Sequence, residues 1–177
     1  MDIRCARELM IPIEKYPTVS ADMKISEAIA QFLDGSHDIE ADDGRRSVPR
    51  VLLVIGAGRE LLGILRRRDI MRGLEPGFLR SEPQDSRKRI FPVRADPDLA
   101  ELSYDRLLAP MKARVGRPIT DVMQPIQVTV REDDHLFKII DEMVDSNVSL
   151  VPVLKEGRVT GAVRSVDVLG EVSRIVQ

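Results

Sequence analysis

The sequence predicts an α/β (α+β) fold of two β-α-β-β-α repeats packed sheet to sheet with pseudo-two-fold symmetry, and three internal matches carry that prediction. GILRRRDIM at residues 63–71 returns as GAVRSVDVL at residues 161–169, inside a longer pairing of LLVIGAGRELLGILRRRDI with LVPVLKEGRVTGAVRSVDV at an offset of 98 residues. ELMIP at 8–12 matches DVMQP at 121–125 at an offset of 113, and TVSADMKISEAI from Thr18 matches TVREDDHLFKII from Thr129 at 111. The matches come in the same order twice. Their falling offsets place two extra residues near IEKYP in the first copy and thirteen between Phe32 and Val51. A unit of about 50 to 65 residues cannot cover an apolar sheet face by itself, so the pair is the expected folding unit.

The first copy, residues 6–74, opens on a short Pro-flanked strand, PTVSA, and continues as a helix with Ile25, Ala28, Ile29, Phe32 and Leu33 on an inward stripe. DGSHDIEADDGRRSVPR, residues 34–50, reads as an acidic, Gly-bearing surface loop, the place where an insertion is tolerated. RVLLVI and LLGIL follow as two strands joined by the turn GAG, and a short closing helix is expected to end at Gly73. Residues 75–116 have no counterpart in the second copy. Pro76, Pro83, Pro92 and Pro97 make their start an irregular linker, and DLAELSYDRLLAPMKA reads as a helix over 98–113 that Pro110 should end or kink, because its ring clashes with the preceding turn. Leu99, Leu102, Leu107, Leu108 and Met111 are expected to pack this insertion over the rest of the protein. The second copy, residues 117–176, repeats the order: a strand IQVTV, a helix with Leu136, Ile140, Met143 and Val144 inward, and strands SLVPVL and VTGAV joined by KEG. Its closing helix has Val168, Leu169, Val172, Ile175 and Val176 as its apolar stripe.

Composition excludes several functions. With 27 basic against 29 acidic residues the net charge is −2, so no global field draws the chain to nucleic acid or anionic lipid. Aromatic residues are 3% with no Trp, which leaves few stacking platforms for single strands. Cys5 is the single cysteine, and there is neither a signal peptide nor an apolar run of about 18 residues, so the expected setting is cytoplasmic, without a membrane span. His37 and His135 have no ligand partners at metal spacing. VLLVIGAGREL lacks the third glycine of a dinucleotide fingerprint, since Leu61 stands there. No catalytic constellation is present, so no enzyme activity is expected. One local charge feature remains, ten basic against five acidic residues between 59 and 94, which reads as a solvated face, a dock for an acidic partner or the phosphate end of a cleft.

The order of elements, LM or VM followed by Pro at the start of each copy, VPV at residues 151–153, and above all Gly-h-h-x-x-x-Asp before each closing helix resemble a tandem pair of cystathionine-β-synthase (CBS) domains, a Bateman module, over residues 6–74 and 117–176. The resemblance implies a regulatory module that holds an adenosine-type ligand, such as AMP, ADP, ATP or S-adenosylmethionine, in clefts between the packed halves and signals to a regulated protein. It implies that Asp69 and Asp167 accept ribose hydroxyls, and that Met10, Pro12 and Thr18 with Met123, Pro125 and Thr129 line the base beside Pro152, for which the first copy has Val54. It also implies a homodimer joined through the closing helices. The departure is at the hydroxyl position, where the family's Ser/Thr-x-x-Asp has become Arg66-x-x-Asp69 and Arg164-x-x-Asp167. A guanidinium at a helix N-terminus can grip a phosphate, or it can bond the neighbouring Asp and close the cleft. The plain reading of each Asp is an acid in a first helical turn, stabilised by the helix dipole by about 0.3–1 kcal/mol. The alternative function is a ligand-free dimerisation scaffold.

Overall fold

The computed structural model describes residues 4–33, 39–40, 46–47, 49–75 and 104–176. Each half is a small sheet backed by two helices. In the first, β2 (Thr18–Ser20) pairs parallel with β5 (Val51–Ile55), which pairs antiparallel with β6 (Leu61–Arg66). In the second, β7 (Val130–Arg131) pairs parallel with β8 (Leu150–Lys155), which pairs antiparallel with β9 (Arg158–Arg164). The hairpin between β8 and β9 turns on Glu156 and Gly157, both at positive φ (50° and 78°), the backbone that matches the twist of the flanking strands. Within the 34–50 insertion, β3 (Ile39–Glu40) and β4 (Arg46–Ser47) form a separate antiparallel ladder.

Strand β5 shows why a continuous apolar run is needed here. Its Leu52 and Val54 join Val19, Ile25, Ala28, Phe32, Leu65, Ile70 and Ile119 in a core against the helices, while Val51 and Leu53 face the other sheet. A strand covered on both faces cannot alternate polar and apolar residues. The second half repeats this, with Val151 and Val153 in its helix-side core and Leu150 between the sheets. The two sheets meet through Tyr16, Val51, Leu53, Leu150 and Ala162.

The first residues of each copy cross to the opposite half. Helix α1 (Ala6–Leu9) buries Ala6 and Leu9 in the second core, and β1 (Ile11–Pro12) adds an antiparallel edge to β9, Ile11 opposite Ala162 and Pro12 opposite Gly161. Reciprocally, the 3₁₀ turn Ile119–Asp121 buries Ile119 in the first core, and Gln124 exchanges two backbone hydrogen bonds with Ile64 of β6, at 2.8 and 2.9 Å. Gly63 and Gly161 face these crossings. A Cβ on Gly63 would stand 2.5 Å from the Gln124 carbonyl oxygen, and one on Gly161 2.5 Å from that of Ile11. The repeated glycine is therefore a close-approach position.

Helix α2 (Ile25–Leu33) buries Ile25, Ala28 and Phe32 but exposes Leu33; α5 (Leu136–Asp145) buries Leu136, Ile139 and Met143 but exposes Val144. The buried stripes follow i, i+3, i+7, so Ile139 replaces Val144 in the expected stripe. On α6 (Ser165–Ile175), Val168 is buried and Val172 and Ile175 pack against the core, whereas Leu169 and the C-cap residue Val176 are exposed. Helix α3 (Arg67–Leu74) continues one residue past Gly73, and the Val122 side chain packs where a Cβ on Gly73 would be, 2.3 Å away. Helix α4 (Tyr104–Val115) continues through Pro110 instead of ending there. Its Arg114 guanidinium donates to the carbonyls of Leu74 and Glu75, which docks α4 on the end of α3 and satisfies carbonyls that the helix leaves open. Leu108 is half-buried and Met111 exposed; Leu99 and Leu102 lie outside the described residues.

The crossing of α1 is reinforced by charge. Glu171, a buried carboxylate on α6, accepts from Arg174 Nε at 2.9 Å and Nη2 at 2.5 Å, and Arg4 approaches to 3.7 Å. The hydrogen-bonded Arg174 guanidinium holds the Glu171 carboxyl below its ordinary value of 4.5. A carboxylate whose folded pKa is depressed adds stability that is complete above the unfolded value and lost as pH falls through the folded one. Glu171→Gln should therefore unfold at lower urea than the wild type at pH 7, with the gap closing as pH drops below about 4.5; a gap that persists at the acid end would show that packing, not charge, is what Glu171 supplies.

Candidate ligand clefts

Each closing helix begins at an arginine. Arg66 leaves β6 with extended backbone (φ −104°, ψ 153°), and three residues on, Asp69 sits in the first turn of α3. Its carboxylate accepts from the Arg66 backbone N–H at 3.1 Å, from Nε at 2.8 Å and from Nη2 at 2.9 Å. Arg164 and Asp167 repeat the arrangement at 3.2, 2.8 and 2.6 Å. The acid thus supplies the returning half of a capping box, while the arginine, which has no acceptor, grips it as a bidentate fork. Of the two roles open to the guanidiniums, the one realised in both copies is the bond to the neighbouring Asp. Asp69 is shielded completely while the Arg66 side chain remains 40% exposed, so the arginine lies over the acid like a cover. The same bond raises the Arg66 pKa above its ordinary value. Arg67 is spent structurally, over the Phe32 ring at 5.7 Å and on the Pro49 carbonyl.

The crossing decides which residues meet. Met10 and Pro12 lie along β9, which leads to Asp167, and Met123 lies against Gly63 on β6, which leads to Asp69. Each Arg–Asp pair therefore faces the leading segment of the other copy. Pro152 is buried opposite Ala162, and because Ile64 is the counterpart of Ala162 at the offset of 98, the partner of Pro152 in the first half is Leu53, opposite Ile64, and not Val54. Pro12 and Pro125 are exposed. Thr18 lines an open cleft of about 610 Å³ at the hairpin-turn end with Tyr16, Arg59 and Arg158, and Thr129 lines a depression of about 870 Å³ with Arg7, Lys138 and Lys155. Neither lining includes Arg66, Asp69, Arg164 or Asp167.

Arg66 itself lines a cleft of about 230 Å³ between the halves, with apolar walls Val51, Ile64 and Leu150 and with Asn147, Val148 and Ser149 from the turn after α5. Asn147 takes a left-handed conformation (φ 50°), its N–H donating to the Val144 carbonyl and that of Val148 to the Met143 carbonyl, the paired hydrogen bonds of a helix C-terminus closed by Asn. Asn147 and Ser149 were not candidates from the sequence, although Ser-Asn after the helical stripe is a readable C-terminal signal. Tyr16 was also missed. It is buried between the sheets, donates its hydroxyl to the Val51 carbonyl at 2.8 Å, and burial pushes its pKa up. His135 caps α5, its Nδ1 accepting from the Lys138 N–H at 3.3 Å. Among the described residues no three His, Cys, Asp or Glu side chains cluster as a metal site would require, and no helix is long and apolar enough to cross a membrane.

A family model described as CBS domain matches residues 6–76 and 119–174. The uncharacterized protein MJ1004 of Methanocaldococcus jannaschii is 36% identical over 64 residues, 34% of this chain, and the match spans 30% of that protein's length. Among solved structures, CBSX2 in complex with AMP superposes with a TM-score of 0.63 over 98% of this chain and 99% of its own, at 14% identity; CBSX2 is from Arabidopsis thaliana. The cytosolic domain of the Mg2+ channel MgtE in complex with ATP superposes at 0.59 over 94% of this chain and 48% of its own, at 21% identity.

Proposed function

The chain belongs to the CBS-domain family, and from that premise we propose that it is a regulatory module that binds a small phosphorylated adenosine compound in the cleft at Arg66 and passes the bound state to a partner protein. The observation that carries this reading is the Arg66–Asp69 fork at the mouth of a cleft whose walls come from both halves. The Arg66 guanidinium, 40% exposed, can swing onto a phosphate, but Asp69 is shielded beneath it, so the pair is given up only as ligand hydroxyls replace the bonds the carboxylate loses. The uncovered Asp69 then accepts ribose hydroxyls. Each charged hydrogen bond gained contributes roughly 1.5–3 kcal/mol, which offsets the two bonds that Arg66 gives up. Val51, Ile64 and Leu150 would face the base, and Asn147 and Ser149 come from the opposite half, so occupancy would tie the halves together and bias any equilibrium between their arrangements. The complexes of CBSX2 with AMP and of MgtE with ATP support this class of ligand.

Calorimetric titration with AMP, ADP, ATP and S-adenosylmethionine tests the reading: heat with at least one of the three phosphate-bearing compounds is expected, and heat with S-adenosylmethionine alone would overturn the phosphate role of Arg66. The absence of heat with all four would leave the second reading, a dimerising scaffold, which is favoured by the fact that both carboxylates already hold an arginine.

Both readings include a homodimer. Leu33, Met71, Phe137, Val144, Val166, Leu169 and Val176 are exposed on helices α2, α3, α5 and α6, more apolar surface than a monomer ordinarily leaves bare. Leu169→Glu should shift the light-scattering mass from two chains towards one at micromolar concentration; a wild type that already runs as a single chain would overturn the dimer.

A further inference from the structure

The two clefts are not alike, and the difference lies in Tyr16. Strand registers define the counterparts: Val51 sits opposite Arg66 as Leu150 sits opposite Arg164, and Ile64 sits opposite Leu53 as Ala162 sits opposite Pro152. The apolar walls of the open cleft, Val51, Ile64 and Leu150, therefore correspond to Leu150, Ala162 and Val51 on the other side of the pseudo-two-fold axis. Those three residues share one buried cluster with Tyr16, which is 4% exposed, and with Leu53. Ala162 stands where the first half has Ile64, and the smaller side chain leaves room for a ring.

Chain length explains how the ring arrives there. Between Pro12 and Thr18 the first copy has residues 13–17, whereas between Pro125 and Thr129 the second has residues 126–128. The two extra residues close a turn in which the Tyr16 N–H bonds the Pro12 carbonyl at 3.0 Å, and β1 has already carried this segment across to β9, beside Asp167. In the second copy Val128 packs into the helix-side core instead, and no aromatic residue stands in its connection. Tyr16 is seated as a ligand would be: its ring lies between apolar walls, and its hydroxyl is satisfied by the Val51 carbonyl at 2.8 Å.

We infer that Tyr16 is an internal occupant of the cleft beside Asp167 and excludes nucleotide from it, so that ligand enters only at Arg66 and Asp69. The inference rests on the reading of the Arg66 cleft as a nucleotide site, and its test separates the two. Full-length protein is titrated with AMP by calorimetry. The wild type is expected to take one AMP per chain, Tyr16→Phe also one because the ring remains, and Tyr16→Ala two. Asp69→Ala should weaken all wild-type binding at least tenfold, yet leave one site in the Tyr16→Ala, Asp69→Ala double variant. Two AMP per chain in the wild type, or an unchanged count in Tyr16→Ala, overturns the inference. Should the wild type take none and Tyr16→Ala take one, Tyr16 is still the occupant and the Arg66 reading fails; if neither takes any, both fall. If Tyr16→Ala does not fold, wild-type stoichiometry and its response to Asp69→Ala decide, since a tight site that survives Asp69→Ala would have to be the one assigned to Tyr16.

Discussion

Gly161→Ala should lower the unfolding free energy by about 1–3 kcal/mol, the usual penalty for forcing an extra methyl into a packed site. The new Cβ would lie 2.5 Å from the Ile11 carbonyl oxygen and 2.8 Å from Met10 Sδ. The methionine side chain can move, but the backbone oxygen belongs to β1, whose ladder to β9 would have to open. Gly63→Ala meets the Gln124 carbonyl at the same 2.5 Å and should behave alike. Gly170→Ala is the contrast. It lies inside α6 with nothing within 4 Å of its Cβ, and removing a helical glycine there should raise stability by about 0.5–1 kcal/mol. Urea unfolding of the three variants would rank them, and a Gly161→Ala protein as stable as Gly170→Ala would mean that the crossed segment is not held against β9.

Asp69→Ala should weaken AMP binding by roughly 10- to 100-fold or more, because one or two hydrogen bonds to a charged acceptor are lost. Stability should change little. The Arg66 side chain left behind is 40% exposed and can turn to water, and the acid's favourable place at the start of α3 is worth only about 0.3–1 kcal/mol. A variant that loses stability heavily but binds AMP as tightly as the wild type would assign Asp69 to helix capping alone. Arg66→Ala distinguishes the two ends of the ligand: it should uncover Asp69 but remove the phosphate partner, so adenosine should lose less affinity than AMP.

Much of this molecule is legible in its sequence. Three offsets within the chain recovered the order of elements, and the Arg-x-x-Asp spacing placed both side chains in one helical turn, where the structure finds them bonded. Helical stripes were located but misassigned at their edges, as with Val144 in place of Ile139, because both are apolar and flank the stripe on opposite sides, and only the neighbouring sheet decides which edge is covered. Gly73 resembled a helix stop, yet its role is contact with Val122, a residue 49 positions further along the chain.

The sequence by itself determined that there are two copies of one unit and that each copy brings an arginine and an aspartate to the start of its closing helix. Only the tertiary structure decided how the copies combine. Two similar units offer nearly the same groove to a leading segment, so α1 and β1 would find an apolar core and a strand edge in either half, and no local pattern distinguishes the choices. The crossing is settled by chain path and packing: Ala6 and Leu9 fill the second core, Ile119 fills the first, and Gly161 and Gly63 admit the crossed backbones. The fate of Tyr16 follows from the same cause. A two-residue difference in offset was visible in the sequence, but that it carries an aromatic ring into the space beside Asp167 depends on β1 having first crossed to β9, a contact between residues some 150 positions apart.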